Sequence, residues 1–455
     1  MYQHNLKRKK FINRFSVGQL ISFYYFTAVV VITFLLFLPI SQKSDVTLQF
    51  TEVLFTAVSA VSVTGLSVVP VVDSFSTFGI IVLIVAFHIG GLGVMAIGTI
   101  IWLILGRKIG FKERRLIMTD QNIQSISGIV RLVKNMIVVI FLIEFVGFLI
   151  LGTYYLFYYD SPIVAYFHGL FSSISATTNS GFDITGTSLH LFQDDYFVQS
   201  VHICLIISGA IGFPVLMEIK EYFKTKRNLR QLFRFSIFTK LTTLTYFILL
   251  IVTFLFLLIF EFKHYFVGHS WHSAIFNSLF QATTVRSAGL STLDVNQFYE
   301  HTQILLSTMM FIGASPSSVG GGIRTTTFAL VIIFILTYAR GRTNVKVFGR
   351  EIEDSDLYKA VVVTFLAIIM FILSVMIITA IEPFSLMSII FEVSSAFGTC
   401  GLSMGITSDL SIVSQIILMI LMFIGRIGLL TFLLSFNKEK RKSNIRYPKE
   451  KINIG

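Results

Sequence analysis

Val63-Thr64-Gly65-Leu66, Asn179-Ser180-Gly181-Phe182, Ser287-Ala288-Gly289-Leu290 and Thr399-Cys400-Gly401-Leu402 are the four stretches around which the chain is organised. In each, a small residue, a glycine and a large apolar residue follow a short, apolar, Ser/Thr-rich segment. Phe55, Phe171 and Phe391 lie ten residues before their glycines, and Phe280 lies nine before its own. The glycines are 116, 108 and 112 residues apart, so one unit is used four times. Glycine reaches backbone angles that other residues avoid. Four such loops about one axis can present rings of carbonyl oxygens that replace the water shell of a potassium ion. A single stretch of this kind would be read as a close helix contact. Four in register, each between long apolar segments, favour the ion.

Composition places these stretches in a membrane. Of 455 residues, 54% are hydrophobic and 13% charged, with mean hydropathy +0.80. A soluble domain carries about 25% charged residues. Cys204 and Cys400 both stand in apolar context, which argues against a disulfide framework or a metal cluster. The basic head Lys7-Arg8-Lys9-Lys10 precedes an apolar run to Ile40 with no cleavage pattern, so a retained first helix is expected. The net charge of +12 is distributed as in a membrane protein, and no nucleic-acid partner is expected.

Eight apolar runs are long enough to span, at roughly 18–40, 76–105, 135–158, 197–217, 237–260, 303–337, 358–380 and 412–434. One glycine stretch falls inside each successive pair of runs, preceded by about ten apolar residues, too few to cross. Such segments suit re-entrant half-helices buried in protein. The expected fold is an all-α polytopic membrane protein with four tandem helix–half-helix–helix repeats about one pore, similar in plan to a potassium channel. The repeats fall at 1–106, 107–219, 220–339 and 340–436, followed by a basic tail, 437–455.

Of 36 Lys and Arg, 31 lie in the amino-terminal tail, the 106–134, 220–240 and 340–359 linkers and the carboxyl-terminal tail. Positive segments stay inside, so both termini and all three linkers are expected to be cytoplasmic, and the half-helices enter from outside. Asp73, Asp160, Asp194, Asp195, Asp294 and Asp409 then fall in solvated outer loops, adding at most a weak cation-attracting field. Each half-helix would aim its partially negative carboxyl end at the membrane interior, where it favours a cation. The membrane potential drives that cation inward with about 2.3 kcal/mol per 100 mV, without ATP chemistry in this chain.

The sixth run is interrupted: Gly313-Ala314-Ser315-Pro316-Ser317-Ser318-Val319-Gly320-Gly321-Gly322-Ile323-Arg324. Pro and four Gly cannot sustain a helix. A backbone break at membrane depth belongs where it is buried in protein or lines a water-filled cavity, and a loop just cytoplasmic of the filter suits a gate. No phosphate-binding ending follows these glycines. Arg426, in Ile424-Gly425-Arg426-Ile427-Gly428, is deep enough to cost about 2.5–3.5 kcal/mol without a partner; loop carbonyls are the expected partners. Arg286 precedes the third stretch and calls for neutralisation, with Glu392 as the expected partner. Glu52 is expected at the start of the first half-helix, where it favours the dipole. Glu144 and Glu218 lie in or near spans without a partner evident in the sequence. His88-Ile89-Gly90-Gly91-Leu92-Gly93 lies inside an apolar run and reads as close helix packing rather than a dinucleotide site. No catalytic constellation is evident, so no enzyme is expected. A secondary transporter of another class would show inverted repeats around a midplane site with intramembrane acids. Here the repeats share one orientation, and Asp183 is the acid nearest a glycine stretch.

These four stretches, with Gly-Ala-Ser-Pro-Ser-Ser-Val-Gly-Gly-Gly-Ile-Arg in the sixth run, resemble the Trk/Ktr/HKT potassium transporters over nearly the whole chain, most of all the membrane subunit of bacterial Ktr systems. All four keep glycine, unlike plant HKT members with Ser at the first, and the extra amino-terminal helices of Trk-type subunits are not expected. The resemblance implies K+ at the filter carbonyls, Na+-stimulated, symporter-like uptake, no bound organic cofactor, and a bacterial cell membrane location. It also implies a homodimer seated on a cytosolic RCK ring that binds ATP, ADP or a cyclic dinucleotide. The basic linkers and tail would contact that ring or anionic lipid. The interrupted run matches the family's gating loop and Arg426 its basic residue in the last span. Pro316, where many members have Gly, and Arg324, where they have Lys, bear on the loop's stiffness and gating threshold.

Overall fold

The computed structural model describes residues 16–104, 109–120, 128–226, 233–435, 448 and 450. The amino-terminal basic cluster, parts of the 106–134 and 220–240 linkers and nearly all of the tail lie outside the described residues. Within them the chain is helical, apart from a two-stranded hairpin, Lys346–Val347 with Arg350–Glu351, and a single bridge between Gln42 and Phe75.

Four helices are long and apolar enough to cross a membrane, among the described residues: α1 (Val17–Phe37), α6 (Ile129–Tyr154, prolonged by one turn to Phe157), α10 (Ile237–Glu261) and α14 (Asp354–Ile381). At 1.5 Å per residue, the 28 residues of α14 reach about 42 Å. Their outward faces are apolar. Phe23, Phe26, Val30 and Phe34 on α1, and Phe365, Ile369, Leu373 and Met376 on α14, are exposed. Faces of this extent are stable against lipid, not water. Ser16 and Ser236 cap the starts of α1 and α10.

Each long helix is followed by a short one: α2 (Phe50–Ser62), α7 (Pro162–Thr177), α11 (Trp271–Thr284) and α15 (Leu386–Gly398). Thirteen residues, the length of α2 and of α15, make about 20 Å, short of the roughly 30 Å hydrocarbon core. Glu52 sits in the first turn of α2, where its carboxylate accepts from Gln49 N–H at 2.8 Å and closes a capping box.

The second run of each pair is broken in every unit, whereas the sequence led us to expect a break in the sixth run alone. The second run divides at Gly93 into α3 (Thr77–Leu92) and α4 (Val94–Ile104), followed by α5 (Phe111–Asp120). The fourth bends by 104° between α8 (Tyr196–Ala210) and α9 (Phe213–Lys226). The sixth consists of α12 (Glu300–Phe311) and α13 (Thr325–Ala339), and the eighth bends by 98° between α16 (Ile412–Ile427) and α17 (Leu429–Ser435). Paired glycines explain three of these breaks. A Cβ on Gly90, Gly209 or Gly425 would collide with the carbonyl of Val61, Thr177 or Phe397, at or near the end of a short helix. Three residues later Gly93, Gly212 and Gly428 take φ of +89°, +104° and +90°, which ends the helix. The first glycine thus seats the run on the short helix and the second turns it away.

Candidate functional site: four glycine loops and a buried loop

Each glycine stretch begins where a short helix ends. In three units the turn is the same. Val63, Asn179 and Thr399 adopt left-handed φ of 56°, 50° and 47°, and the next N–H, of Thr64, Ser180 or Cys400, donates to the carbonyl five residues back at 2.9 Å. The third unit lacks the left-handed residue. There the N–H groups of Ser287, Ala288 and Gly289 all reach Thr284 O, at 3.1, 2.8 and 3.5 Å. This is the structural meaning of the ninth-residue spacing at Phe280: the third loop is one residue shorter.

Four hydroxyls not singled out in the sequence hold these loops, each four residues after the Phe. Ser59 Oγ accepts from Gly65 N at 3.1 Å and Ser395 Oγ from Gly401 N at 3.0 Å. Ser175 Oγ donates to Phe182 O and Thr284 Oγ1 to Leu290 O, both at 2.6 Å. All four are buried, and losing such a partner costs about 1–3 kcal/mol. Ser395→Ala is expected to lower stability by about that amount, as thermal unfolding would register.

The loops meet in chain order and close a ring. A Cβ placed on Gly65 would lie 2.6 Å from Ser180 O and 2.7 Å from the Gly181 Cα; on Gly181, 3.1 Å from Ala288 O and from the Gly65 Cα; on Gly289, 2.8 Å from the Gly401 Cα; on Gly401, 3.1 Å from the Gly65 Cα. All four glycines have positive φ, from +71° to +102°. Cys400 Sγ lies 3.5 Å from Thr284 O and Val285 O, tying the fourth loop to the third. The flanking Thr64, Leu66, Ser180, Phe182, Ser287, Ala288, Leu290 and Leu402 are buried.

Residues 312–323 are buried and touch all four units. Ser315 N and Val319 N donate to Ala210 O and Gly209 O, both at 3.2 Å, and Phe213 N donates to Ser317 O at 2.7 Å. Val319 packs on Gly91, Gly320 on the Ser287 side chain of the third loop, and Gly321 on Thr399 of the fourth. Ala314 N donates to Gly321 O and Ile323 N to Phe311 O, both at 3.2 Å, so the loop returns to its own stem. Pro316 stands beside Gly212, Ser317 is left-handed at φ 55°, and Ser318 Oγ donates to Ser315 O at 2.6 Å. Arg324 Nη1 donates to Gly320 O. Arg426 Nη1 donates to Val319 O, with Ser318 O and Gly320 O at 3.5 and 3.4 Å. Its Nη2 donates to Gly90 O, and to Gly91 O at 2.9 Å. One guanidinium thus joins the loop to the first unit's broken run.

A model described as TrkH, a cation transport protein, matches residues 5–446. The chain belongs to the TrkH cation transport protein family. Ktr system potassium uptake protein D of Bacillus subtilis is 52% identical over 99% of this chain and 100% of that protein. Ktr system potassium uptake protein B of the same organism is 36% identical over 97% of each. The crystal structure of the potassium transporter TrkH from Vibrio parahaemolyticus shares the fold with a TM-score of 0.68 at 18% identity, over 91% of this chain and 84% of that one. TrkH-family membership makes the chain a multi-pass membrane transport protein, not an enzyme.

The carboxylates of this TrkH-family chain pair differently from one sequence expectation. Arg286 and Glu392 do not meet. The Arg286 guanidinium donates to Ile312 O and Gly313 O, both at 2.7 Å, and to Met309 O at 3.4 Å, beneath the Tyr246 ring. Glu392 accepts from Ser403 Oγ, from Met404 N at 3.0 Å and from Thr407 Oγ1 at 3.0 Å, clamping the segment after the fourth loop. The physical reason is that backbone carbonyls and hydroxyls, which sequence spacing does not reveal, satisfy both groups first. Glu144 faces His88 Nε2 at 3.0 Å, and Glu218 accepts from Ser236 N at 3.0 Å.

Proposed function

We propose that this chain is the ion-conducting membrane subunit of a potassium uptake system of the Ktr type. The single observation that carries the reading is the closure of the four glycine loops into one ring in chain order. On this reading the eight runs span the membrane, the three carboxyl-terminal halves and α13 being their cytoplasmic ends, and α2, α7, α11 and α15 are re-entrant half-helices. The repeats are 1–106, 107–219, 220–339 and 340–436. Backbone oxygens of the residues leading to Gly65, Gly181, Gly289 and Gly401 replace the hydration shell of K+, and the ion moves down its electrochemical gradient. The buried 313–324 loop is the gate, held by Arg426. The potassium uptake named for both Bacillus subtilis relatives supports the ion. A homodimer on a cytosolic nucleotide-binding RCK ring, cytoplasmic termini and stimulation by Na+ complete the proposal.

The test is rescue of a potassium-uptake-deficient cell at low external potassium. The chain is expected to restore growth; no rescue by a protein shown to reach the membrane would count against the reading. Arg426→Ala removes five loop and helix contacts at once and is expected to raise resting K+ flux about tenfold, equivalent to about 1.4 kcal/mol of lost closure. Unchanged flux in vesicles would remove Arg426 from gating.

A further inference from the structure

We propose that Arg286 couples the third filter loop to the hinge of the gate, so that the 312–324 loop cannot leave its seat without disturbing the backbone beside Gly289. The inference rests on the filter-and-gate reading above and adds a link between the two.

The position just before each x-x-Gly shows why Arg286 is singular. Ser62 and Thr178 hold it in the first two units, and their hydroxyls bond to their own helices, at Val58 O and Ile174 O, both at 2.6 Å. Gly398 holds it in the fourth. In the third unit a fully buried arginine leaves its own segment and grips Met309, Ile312 and Gly313, where α12 ends. It has no ion pair among the described residues.

The carbonyls it grips explain its place. In a continuous helix Met309, Ile312 and Gly313 would accept from the N–H groups four residues on, those of Gly313, Pro316 and Ser317. Proline has no N–H, so Ile312 O has no helical donor in any straightened form of this span. Arg286 supplies the missing donor and stabilises the broken form. The next residue, Ser287, rests against Gly320 on the returning limb of the gate. Two consecutive residues, Arg286 and Ser287, therefore touch both limbs. They belong to the shortest loop, whose N–H groups already crowd onto Thr284 O, so this loop has the least slack to absorb a displacement. Moving the gate strips a buried cation of its acceptors or drags the third loop with it. By linkage, ion occupancy in the filter then biases the gate and the gate biases ion preference.

The experiment is a double-mutant cycle in vesicles containing the full chain, reading K+ flux, the K+/Na+ ratio and thermal unfolding for the parent, Arg286→Lys, Pro316→Ala and the double variant. Lys keeps the charge but not the forked donors; Ala at 316 restores an N–H that competes for Ile312 O. Each single change is expected to raise resting flux several-fold and to lower the K+/Na+ ratio, and the double variant to do no more than either alone. Parental flux and ratio in a folded Arg286→Lys protein, or fully additive effects, overturn the coupling. If Arg286→Lys fails to accumulate, Pro316→Ala decides: raised flux with a lowered ratio supports the link, and any other result overturns it. Absence of K+ flux in the parent instead sinks the filter-and-gate reading itself.

Discussion

Gly65→Ser is expected to abolish discrimination between K+ and Na+ while leaving a folded, conducting protein. Two effects combine at this residue. Its φ of +95° is unfavourable for any side chain, at a cost of about 1–3 kcal/mol. Its Cβ would also stand 2.6 Å from Ser180 O and 2.7 Å from the Gly181 Cα. Both neighbours are backbone of the adjacent loop, so the ring itself must widen or twist. Carbonyls that no longer converge cannot replace the hydration shell of the larger ion in preference to that of the smaller one. Each 1.4 kcal/mol lost from that preference is a tenfold change in the ratio, so the K+/Na+ ratio should fall by at least that factor. Gly268→Ala separates strain from geometry. Gly268 has a similar φ of +85°, but nothing lies within 4 Å of the added atom, and its ratio should match the parent's. Growth at low potassium in excess sodium, with uptake of both ions in vesicles, reads the difference.

Deletion of 313–323 should produce unregulated K+ flux, at least tenfold above the parent at rest. The stem permits the deletion, because Ile323 N already donates to Phe311 O at 3.2 Å. α12 and α13 can therefore be rejoined without being pulled apart. What disappears is the buried segment lying against Ser287 and Thr399, together with the loop acceptors of Arg426 at Ser318, Val319 and Gly320. Flux equal to the parent's in a folded deletion variant would mean that the segment is a passive kink.

Local chemistry explains what the sequence disclosed. Gly and Pro density exposed the break in the sixth run, and hydropathy exposed the long helices. The nine-residue spacing at Phe280 stood in the sequence, but its meaning, a third loop one residue shorter, came only with the backbone bonds to Thr284 O. The depth of Arg426 in an apolar run pointed to polar atoms of the loop. The other three breaks stayed hidden because hydropathy is blind to φ. Gly90 and Gly93 were both read as packing glycines; Gly90 packs, whereas Gly93 ends a helix. The partners of Arg286, Glu392 and Glu144 were not legible for a related reason. They are carbonyls, hydroxyls and a histidine up to 56 residues away, and nothing in residue type marks a carbonyl as available. The four supporting hydroxyls carried a usable signal, a Ser or Thr four residues after each aligned Phe, which becomes visible once the units are aligned on the Phe rather than on the Gly.

The central claim is that the four glycine loops surround one dehydrated alkali ion. Its most direct measurement is an experimental density map of the protein in K+, repeated with Rb+ in its place. The account predicts peaks on the common axis of the loops, ringed by backbone oxygens from all four units around Gly65, Gly181, Gly289 and Gly401 and strengthened by Rb+. An ordered ring with no density on its axis, or ion density at a side-chain site elsewhere in the bundle, would contradict it.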